Sequence, residues 1–271
     1  MARGWAESTV ARSLPLAFTG GATIGVLGGM IGLGGAEFRL PLLIGVFGFV
    51  ALQAVILNKA MSLVVVTTAL PARLAAVPFA DVAPHSAIVV NLLAGSLAGA
   101  WIGATWATRV RSATLYKILA VLLVLIAATL AASHFGSVET PDMPPLARAA
   151  AGLIAGVLIG LVAALMGVAG GELLIPTIVL LYAVDIKIAG SLSLAVSLPT
   201  MLVAFARYSQ DQSFAVLRDN KRFLTVMSLG SVTGTIIGGL LLGIVPSLIL
   251  VPVLVLLLLL SAVKVWRHDS N

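Results

Sequence analysis

The sequence lacks cysteine altogether and carries few charged residues. The absence of cysteine from all 271 residues excludes disulfide bonds and thiolate metal sites. Charged side chains make up 10% of the chain and hydrophobic residues 60%, whereas a soluble domain carries about 25% charged residues. A soluble core cannot use this much apolar surface, so the composition predicts an integral membrane protein.

Long apolar runs recur along the chain, for example over residues 118–132 and 248–263. With their flanks, these runs reach the roughly 20 residues that a membrane-spanning helix needs. The runs are continuous rather than alternating, which favours helices over a β-barrel. The expected class is an all-α polytopic membrane protein. No cofactor is predicted. The net charge of +6 does not indicate a nucleic-acid partner, because most cations lie in short loops beside spans.

An internal duplication runs through the chain at one offset, 159 − 24 = 135 residues. Three separate blocks align on this shift without a gap, and the clearest begins at Ile24 and Ile159. Its matched pairs include Gly35 with Gly170, Glu37 with Glu172, and Pro41 with Pro176. The chain therefore divides into a tail (1–13), a first transmembrane repeat (14–133), an extracytoplasmic linker (134–148) and a second transmembrane repeat (149–271).

Loop charges predict the topology of the spans. Clear spans are expected over residues 51–70, 86–108 and 113–132, and over 186–206, 223–242 and 247–265. Four basic groups flank them, and cytoplasmic loops collect such residues. Placing all four groups inside puts both termini in the cytoplasm. The span from residue 86 then runs inward and its repeat partner from 223 runs outward, so the two repeats are inverted.

The N-terminus and the start of the span at residue 51 are both predicted to be cytoplasmic. The segment from Leu14 to Gly48 must therefore leave the cytoplasmic side and return to it. Its returning limb has about 12 residues, or ~18 Å of helix, which is too short for a full crossing. The segment is either a re-entrant helical hairpin or two crossings with the second one short and tilted. In the hairpin alternative, the Gly-rich turns of the two repeats approach each other near the membrane midplane.

The Gly-rich turns suggest two roles. The helix after each turn is expected to begin near Ala36 or Gly171, where unpaired amides and the helix dipole favour an anion. Glycine also serves close helix packing in membranes, and both interpretations stay open. The backbone positions assigned to anion binding are Gly34, Gly35, Ala36, Gly170 and Gly171.

Two glutamates follow these turns. Glu37 and Glu172 either cap the turn and balance the helix dipole, or carry a coupling proton beside a bound anion. Arg39 is expected to reach the first turn, and its repeat partner is Leu174, so the two sites are not equivalent.

Polar side chains of the neighbouring spans complete the predicted site. Asn58 and Ser62 lie one helical turn apart and therefore share a face; the repeat gives Ser193 and Ser197 the same spacing, with Ser191 close by. Lys59 lies about 12 Å into its span. It either pairs with Glu37 or with an anion, or extends to the cytoplasmic surface.

Two stripes of glycine at every fourth position run along residues 95–103 and 230–238. Such stripes pack helices closely, either within the fold or between the protomers of a homodimer. No chemistry is assigned to them.

The paired motifs GLGGAEFRLPLL and GVAGGELLIPTI, each followed by a small polar segment (QAVILNKAMSL and IAGSLSLAVSL), resemble the sulfite exporter TauE/SafE family of membrane permeases. The resemblance covers nearly the whole chain. It implies a multi-pass secondary transporter of the bacterial cytoplasmic membrane for sulfite, sulfoacetate and related anions. The second motif departs from the pattern at Ala169, the partner of Gly34, which puts equal anion contacts from the two halves in doubt.

Two other function classes are weighed against this interpretation. An intramembrane serine protease needs a histidine base beside its serine, and His85, His134 and His268 all lie at or beyond the ends of spans. An enzyme is therefore not expected. An anion channel, or a carrier of another small carboxylate or oxyanion, would use the same kind of anion site.

Overall fold

The computed structural model describes residues 13–31, 35–76, 79–135, 143–241 and 247–267. Across these ranges the regular structure is helical and contains no strand. Residues 1–12 of the predicted tail, residues 136–142 of the predicted linker, and Gly34 lie outside the described residues.

The helices of the two halves follow one another in the same order. In the first half they are α1 (Leu14–Ile31), α2 (Ala36–Gly45), α3 (Ala51–Ala76), α4 (Ser86–Ala107) and α5 (Ser112–Phe135). In the second half they are α6 (Pro145–Met166), α7 (Gly171–Tyr182), α8 (Ile186–Tyr208), α9 (Lys221–Leu240) and α10 (Ser247–Arg267). Short helical turns precede α4 (Phe79–Val82 and Ala83–His85) and α9 (Gln212–Phe214 and Ala215–Asp219).

Five stretches of the described chain are long and apolar enough to cross a membrane: Ala51–Thr68, Phe79–Ala107, Pro145–Met166, Lys187–Tyr208 and Lys221–Leu240. Helices also cover the other spans that the sequence predicts. The prediction of an all-α polytopic membrane protein is thereby confirmed.

The two Gly-rich motifs break the helices as expected. Gly35 precedes α2 with a φ of 69°, and Gly170 precedes α7 with a φ of 86°. These left-handed conformations suit glycine, because a Cβ atom would crowd the neighbouring carbonyl. With 10 residues, α2 is about 15 Å long, roughly half the thickness of the hydrocarbon core.

The most extensive helix contacts join one half of the chain to the other. Helix α1 packs along α9, α6 packs along α4, and α5 packs against α10. The 135-residue offset relates α1 to α6 and α4 to α9, so the first two pairings are equivalent under the repeat. The two halves therefore do not fold as separate bundles, since each supplies the other's main packing partner.

Glycines explain how closely these helices approach. A Cβ atom added to Gly25 would meet the carbonyl oxygen of Ser231, and one added to Gly234 would meet that of Ala22. The same holds between α4 and α6, where a Cβ atom on Gly99 would meet the carbonyl of Val157. The glycine stripes thus pack helices within the fold, as small residues do in membranes.

Contacts at the helix ends bear on the orientation of the halves. The guanidinium Nε of Arg207, at the end of α8, donates a hydrogen bond to Thr105 Oγ1 near the end of α4, at 2.8 Å. The segment 209–220 leads directly from α8 into α9. The ends of α4 and α8 therefore lie together, which is compatible with inverted repeats. The inversion across a membrane stays a prediction.

Replacing Gly234 by alanine tests the glycine contact. The backbone carbonyl of Ala22 cannot move aside like a side chain, so we expect Gly234→Ala to cost about 1–3 kcal/mol. Gly239→Ala on the same helix is the matched control, because an added Cβ atom there meets nothing within 4 Å. Thermal unfolding in detergent should show a lower melting temperature for Gly234→Ala only. Equal melting temperatures would contradict the contact.

The absence of cysteine gives a clean test of topology. Single-cysteine variants Met143→Cys, before α6, and Gln210→Cys, after α8, each carry the only thiol in the chain. Since the loop charges place residue 143 outside and residue 210 inside, a membrane-impermeant maleimide added to intact cells should label Met143→Cys alone. Labelling of Gln210→Cys without lysis would overturn the predicted orientation.

Candidate functional site

The two helix breaks meet at the side chain of Asn58 on α3. Its Nδ2 donates one hydrogen bond to the carbonyl of Ala36, at 2.9 Å, and another to the carbonyl of Met166, at 3.0 Å. Ala36 begins α2 and Met166 ends α6. One amide group therefore ties the break of the first half to the break of the second, and Asn58 is fully buried between them.

Both broken helices begin in the same way. The amides of Phe38 and Arg39 donate to the Gly35 carbonyl, and those of Leu173 and Leu174 donate to the Gly170 carbonyl. The N–H groups at the two preceding positions of each helix have no acceptor within the helix, as at any helix start. These positions are Ala36 and Glu37 in α2, and Gly171 and Glu172 in α7.

Arg39 lies at the centre of this region and is fully buried. Its Nε donates to Asn58 Oδ1 at 2.8 Å, and its two terminal nitrogens donate to Ser62 Oγ at 2.9 Å and Ser231 Oγ at 3.1 Å. None of these partners carries a charge. Two of the five guanidinium N–H groups are not used in these bonds. Arg39 thus connects α2, α3 and α9 through neutral hydrogen-bonding partners, and Glu37 is the carboxyl group that interacts with it electrostatically.

Lys59 is also fully buried and does not extend to a surface. Its Nζ donates to the carbonyls of Ala163, at 2.8 Å, and Val168, at 2.6 Å. These carbonyls belong to the last turn of α6 and the residues after it, where the final C=O groups of a helix lack N–H donors from the helix itself and the helix dipole attracts a cation. The carboxylate that interacts electrostatically with Lys59 is Glu172, in the other half of the chain, rather than Glu37.

The predicted serines differ in whether their hydroxyl groups are already hydrogen-bonded. Ser62 Oγ bonds the carbonyls of Asn58, at 2.7 Å, and Gly167, at 3.2 Å, and Ser193 Oγ bonds the Gly190 carbonyl at 2.8 Å. By contrast, the hydroxyls of Ser191 and Ser197 find no hydrogen-bonding partner among the described residues. These two hydroxyls of α8 are therefore available to a ligand without breaking a bond described here.

Glu37 and Glu172 come together from the two halves. They are 2% and 9% exposed, and their carboxyl groups are close enough to interact electrostatically. Within the described part of the chain, Glu37 Oε2 and both carboxyl oxygens of Glu172 accept no hydrogen bond of good geometry. A simple cap would occupy these oxygens, so the pair is a buried acidic group with unused acceptors.

Ser231, the third hydrogen-bonding partner of Arg39, was not among the residues that the sequence predicts for the site. The only indication in the sequence is a serine at equivalent positions of both glycine stripes, Ser96 and Ser231. In the other half, Ser96 Oγ instead shares a 2.7 Å hydrogen bond with Thr200 Oγ1. Leu174 stands where the repeat would place a second arginine. The two halves therefore give this site different charges.

Comparison with protein-family models matches the chain to the family described as Sulfite exporter TauE/SafE, over residues 2–130 and 151–271. The two matched ranges take in both halves and leave out the stretch between them. Comparisons with curated proteins and with solved structures found no match.

Exchanging Lys59 for methionine tests its role at the end of α6. The methionine keeps the length of the side chain but leaves the carbonyls of Ala163 and Val168 without this donor. The Ala163 carbonyl still accepts from the Val168 amide at 3.1 Å, whereas the Val168 carbonyl loses the donor described for it. A buried carbonyl left without a donor costs about 1–3 kcal/mol, so Lys59→Met should lower the melting temperature in detergent. Lys221→Met, at the exposed start of α9, is the control. An unchanged melting temperature for Lys59→Met would show that these bonds contribute little.

Proposed function

Since this chain belongs to the sulfite exporter TauE/SafE family, a family of membrane transporters and not of enzymes, we propose that it is a secondary transporter of small sulfur-containing anions. The substrates are sulfite, sulfoacetate or related organosulfonates. The anion is held between the two Gly-rich helix breaks and crosses the cell's inner membrane by alternating access. Both termini of the protein are cytoplasmic.

The observation that carries this proposal is the buried guanidinium of Arg39 beside two helix starts. Burying a cation is costly unless something compensates its charge; the three hydrogen-bonding partners of Arg39 are neutral, and the carboxyl group that interacts with it electrostatically is that of Glu37. When Glu37 is neutral, an oxyanion would compensate Arg39 instead, because a guanidinium and free helix amides both match the geometry of charged oxygens. Arg39 has no counterpart in the second half, so the anion is bound nearer to α2 than to α7.

Burial of the site supports a carrier over a channel. The side chains around the breaks, including Glu37, Arg39, Asn58 and Lys59, are almost entirely removed from solvent. A channel needs a continuous aqueous path, whereas a carrier passes through a closed state and opens to each side in turn. On opening, Asn58 and Ser62 exchange bonds to the protein for bonds to the anion, and the hydroxyls of Ser191, Ser193 and Ser197 line the opposite wall.

The conformation of the two breaks is part of the proposal. Gly35 has a left-handed backbone, and a Cβ atom there would approach the carbonyl of Ile24 to 2.6 Å. At Gly170 the nearest atom would be the side-chain methyl of Ala163, at 3.2 Å. Substitution of Gly35 therefore disturbs the helix start more than substitution of Gly170, although both positions have the unusual φ.

Transport by purified protein in proteoliposomes tests the proposal. Labelled sulfite should enter against unlabelled sulfite, since a carrier exchanges its substrate, and a channel would instead show conductance. Arg39→Leu should slow this counterflow about tenfold or more, because a charged hydrogen bond of 1.5–3 kcal/mol is lost. Arg109→Leu, an exposed arginine after α4, should exchange at the native rate.

Two results would contradict this function. Absence of exchange with sulfite and with organosulfonates would exclude the sulfur anions, and exchange of a small carboxylate alone would assign another substrate class. Equal rates for Arg39→Leu and the native protein would remove Arg39 from the site. Melting temperatures of the variants separate a lost ligand contact from a lost fold.

A further inference from the structure

The buried charges of the described chain balance around the two helix breaks. Four charged side chains are buried there, and they are Glu37, Arg39, Lys59 and Glu172. With both carboxylates ionised and both basic groups protonated, their sum is zero. Each proton added to the carboxylates leaves one positive charge uncompensated, and an uncompensated charge in an apolar interior is strongly unfavourable. An anion of matching charge restores neutrality.

The hydrogen-bonding state of the glutamates points to a proton. Glu37 and Glu172 interact electrostatically across the two helix breaks, and three of their four buried oxygens have no hydrogen-bonding partner among the described residues. Ionised carboxylates are acceptors only, so two of them cannot bond each other. One proton converts one of them into a donor, which bonds the other and satisfies an acceptor on each side. The group that the pair lacks is a proton.

We propose that Glu37 and Glu172 form a shared proton site, and that the protons bound there equal in number the negative charges of the transported anion. This inference rests on the proposed anion transport and adds its coupling ion and stoichiometry. A monovalent sulfonate travels with one proton and a divalent anion with two. Transport is then electroneutral, because each anion charge that enters the core is matched by a proton on the pair.

Four other ionisable side chains, Arg39, Lys59, Tyr208 and Lys264, lie on the helices that carry or surround the pair. Arg39, on the same helix as Glu37, keeps its charge at all ordinary pH values. Lys59, from α3, uses two of its three donors on carbonyls. Tyr208, from α8, donates to the Ala164 carbonyl at 2.9 Å. On α10, Lys264 contacts Gly45, about 12 Å along α2 from Glu37.

The native protein in proteoliposomes tests the stoichiometry directly. Methanesulfonate serves as a probe with one fixed negative charge, and sulfoacetate as a probe with two. An acidic exterior should drive uptake of both, and a trapped pH dye should record one proton per methanesulfonate and two per sulfoacetate. A gradient of about one pH unit should accumulate methanesulfonate roughly tenfold, since one unit is a factor of ten in proton activity. A potassium diffusion potential should have no effect on either probe.

Glutamine variants test the site. In Glu172→Gln one carboxylate is permanently neutral, so the core holds one positive charge without a proton. Methanesulfonate uptake should then lose its accompanying proton flux and become sensitive to an inside-positive potential. Glu37→Gln should behave in the same way, because the two groups act as one site. Asp219→Asn, which changes an exposed carboxylate near the start of α9, should keep proton flux and insensitivity to potential.

The readout is the ratio of proton flux to anion exchange, which a purely structural role would leave unchanged while lowering both rates. Anion exchange by the native protein without proton movement would overturn the proton site and leave the transporter intact. Retention of one proton per methanesulfonate in both glutamine variants would overturn it as well. Absence of any anion exchange by the native protein would overturn the transport function and the proton site together.

Discussion

The structure depends on satisfying backbone groups where helices break inside an apolar bundle. In the hydrocarbon region no water supplies hydrogen bonds, so irregular backbone persists only where protein surrounds and pairs it. Three polar side chains within five residues of α3 do this: Asn58 bonds Ala36 and Met166, Lys59 bonds Ala163 and Val168, and Ser62 bonds Gly167. Without α3 the breaks would have no partners, and no site would form between them.

Glycine provides the second requirement, which is close contact between helices of different halves. The pairs α1–α9 and α4–α6 approach until a single methyl group would strike a backbone carbonyl. In lipid the hydrophobic effect does not drive helices together, so dispersion contacts at this short range supply much of the association. Because each half packs on the other, the two breaks are held at fixed positions, and any movement between them involves both halves.

Departures from the repeat make the buried charges of the two halves unequal. Glu37 and Glu172 correspond under the repeat, whereas Arg39 corresponds to Leu174 and Lys59 to Leu194. Two acidic groups are therefore shared between the halves, while both basic groups come from the first. A symmetric core would repeat the same charge twice. This one combines an acidic pair, with one member from each half, and two cations that both come from the first half, and the proposed anion and proton sites rest on that asymmetry.

The sequence by itself determined the membrane class, the helix positions to within a few residues, the duplication and the residue types at both breaks, because hydropathy and glycine patterns are local. Only the tertiary structure decided which groups meet. It brought Ser231 to Arg39 across 192 positions of the chain, directed Lys59 to the end of α6, and set Glu172 beside Glu37. These contacts depend on how α1 packs on α9 and α4 on α6, and a backbone-to-backbone approach across two halves leaves no pattern within a short window of sequence.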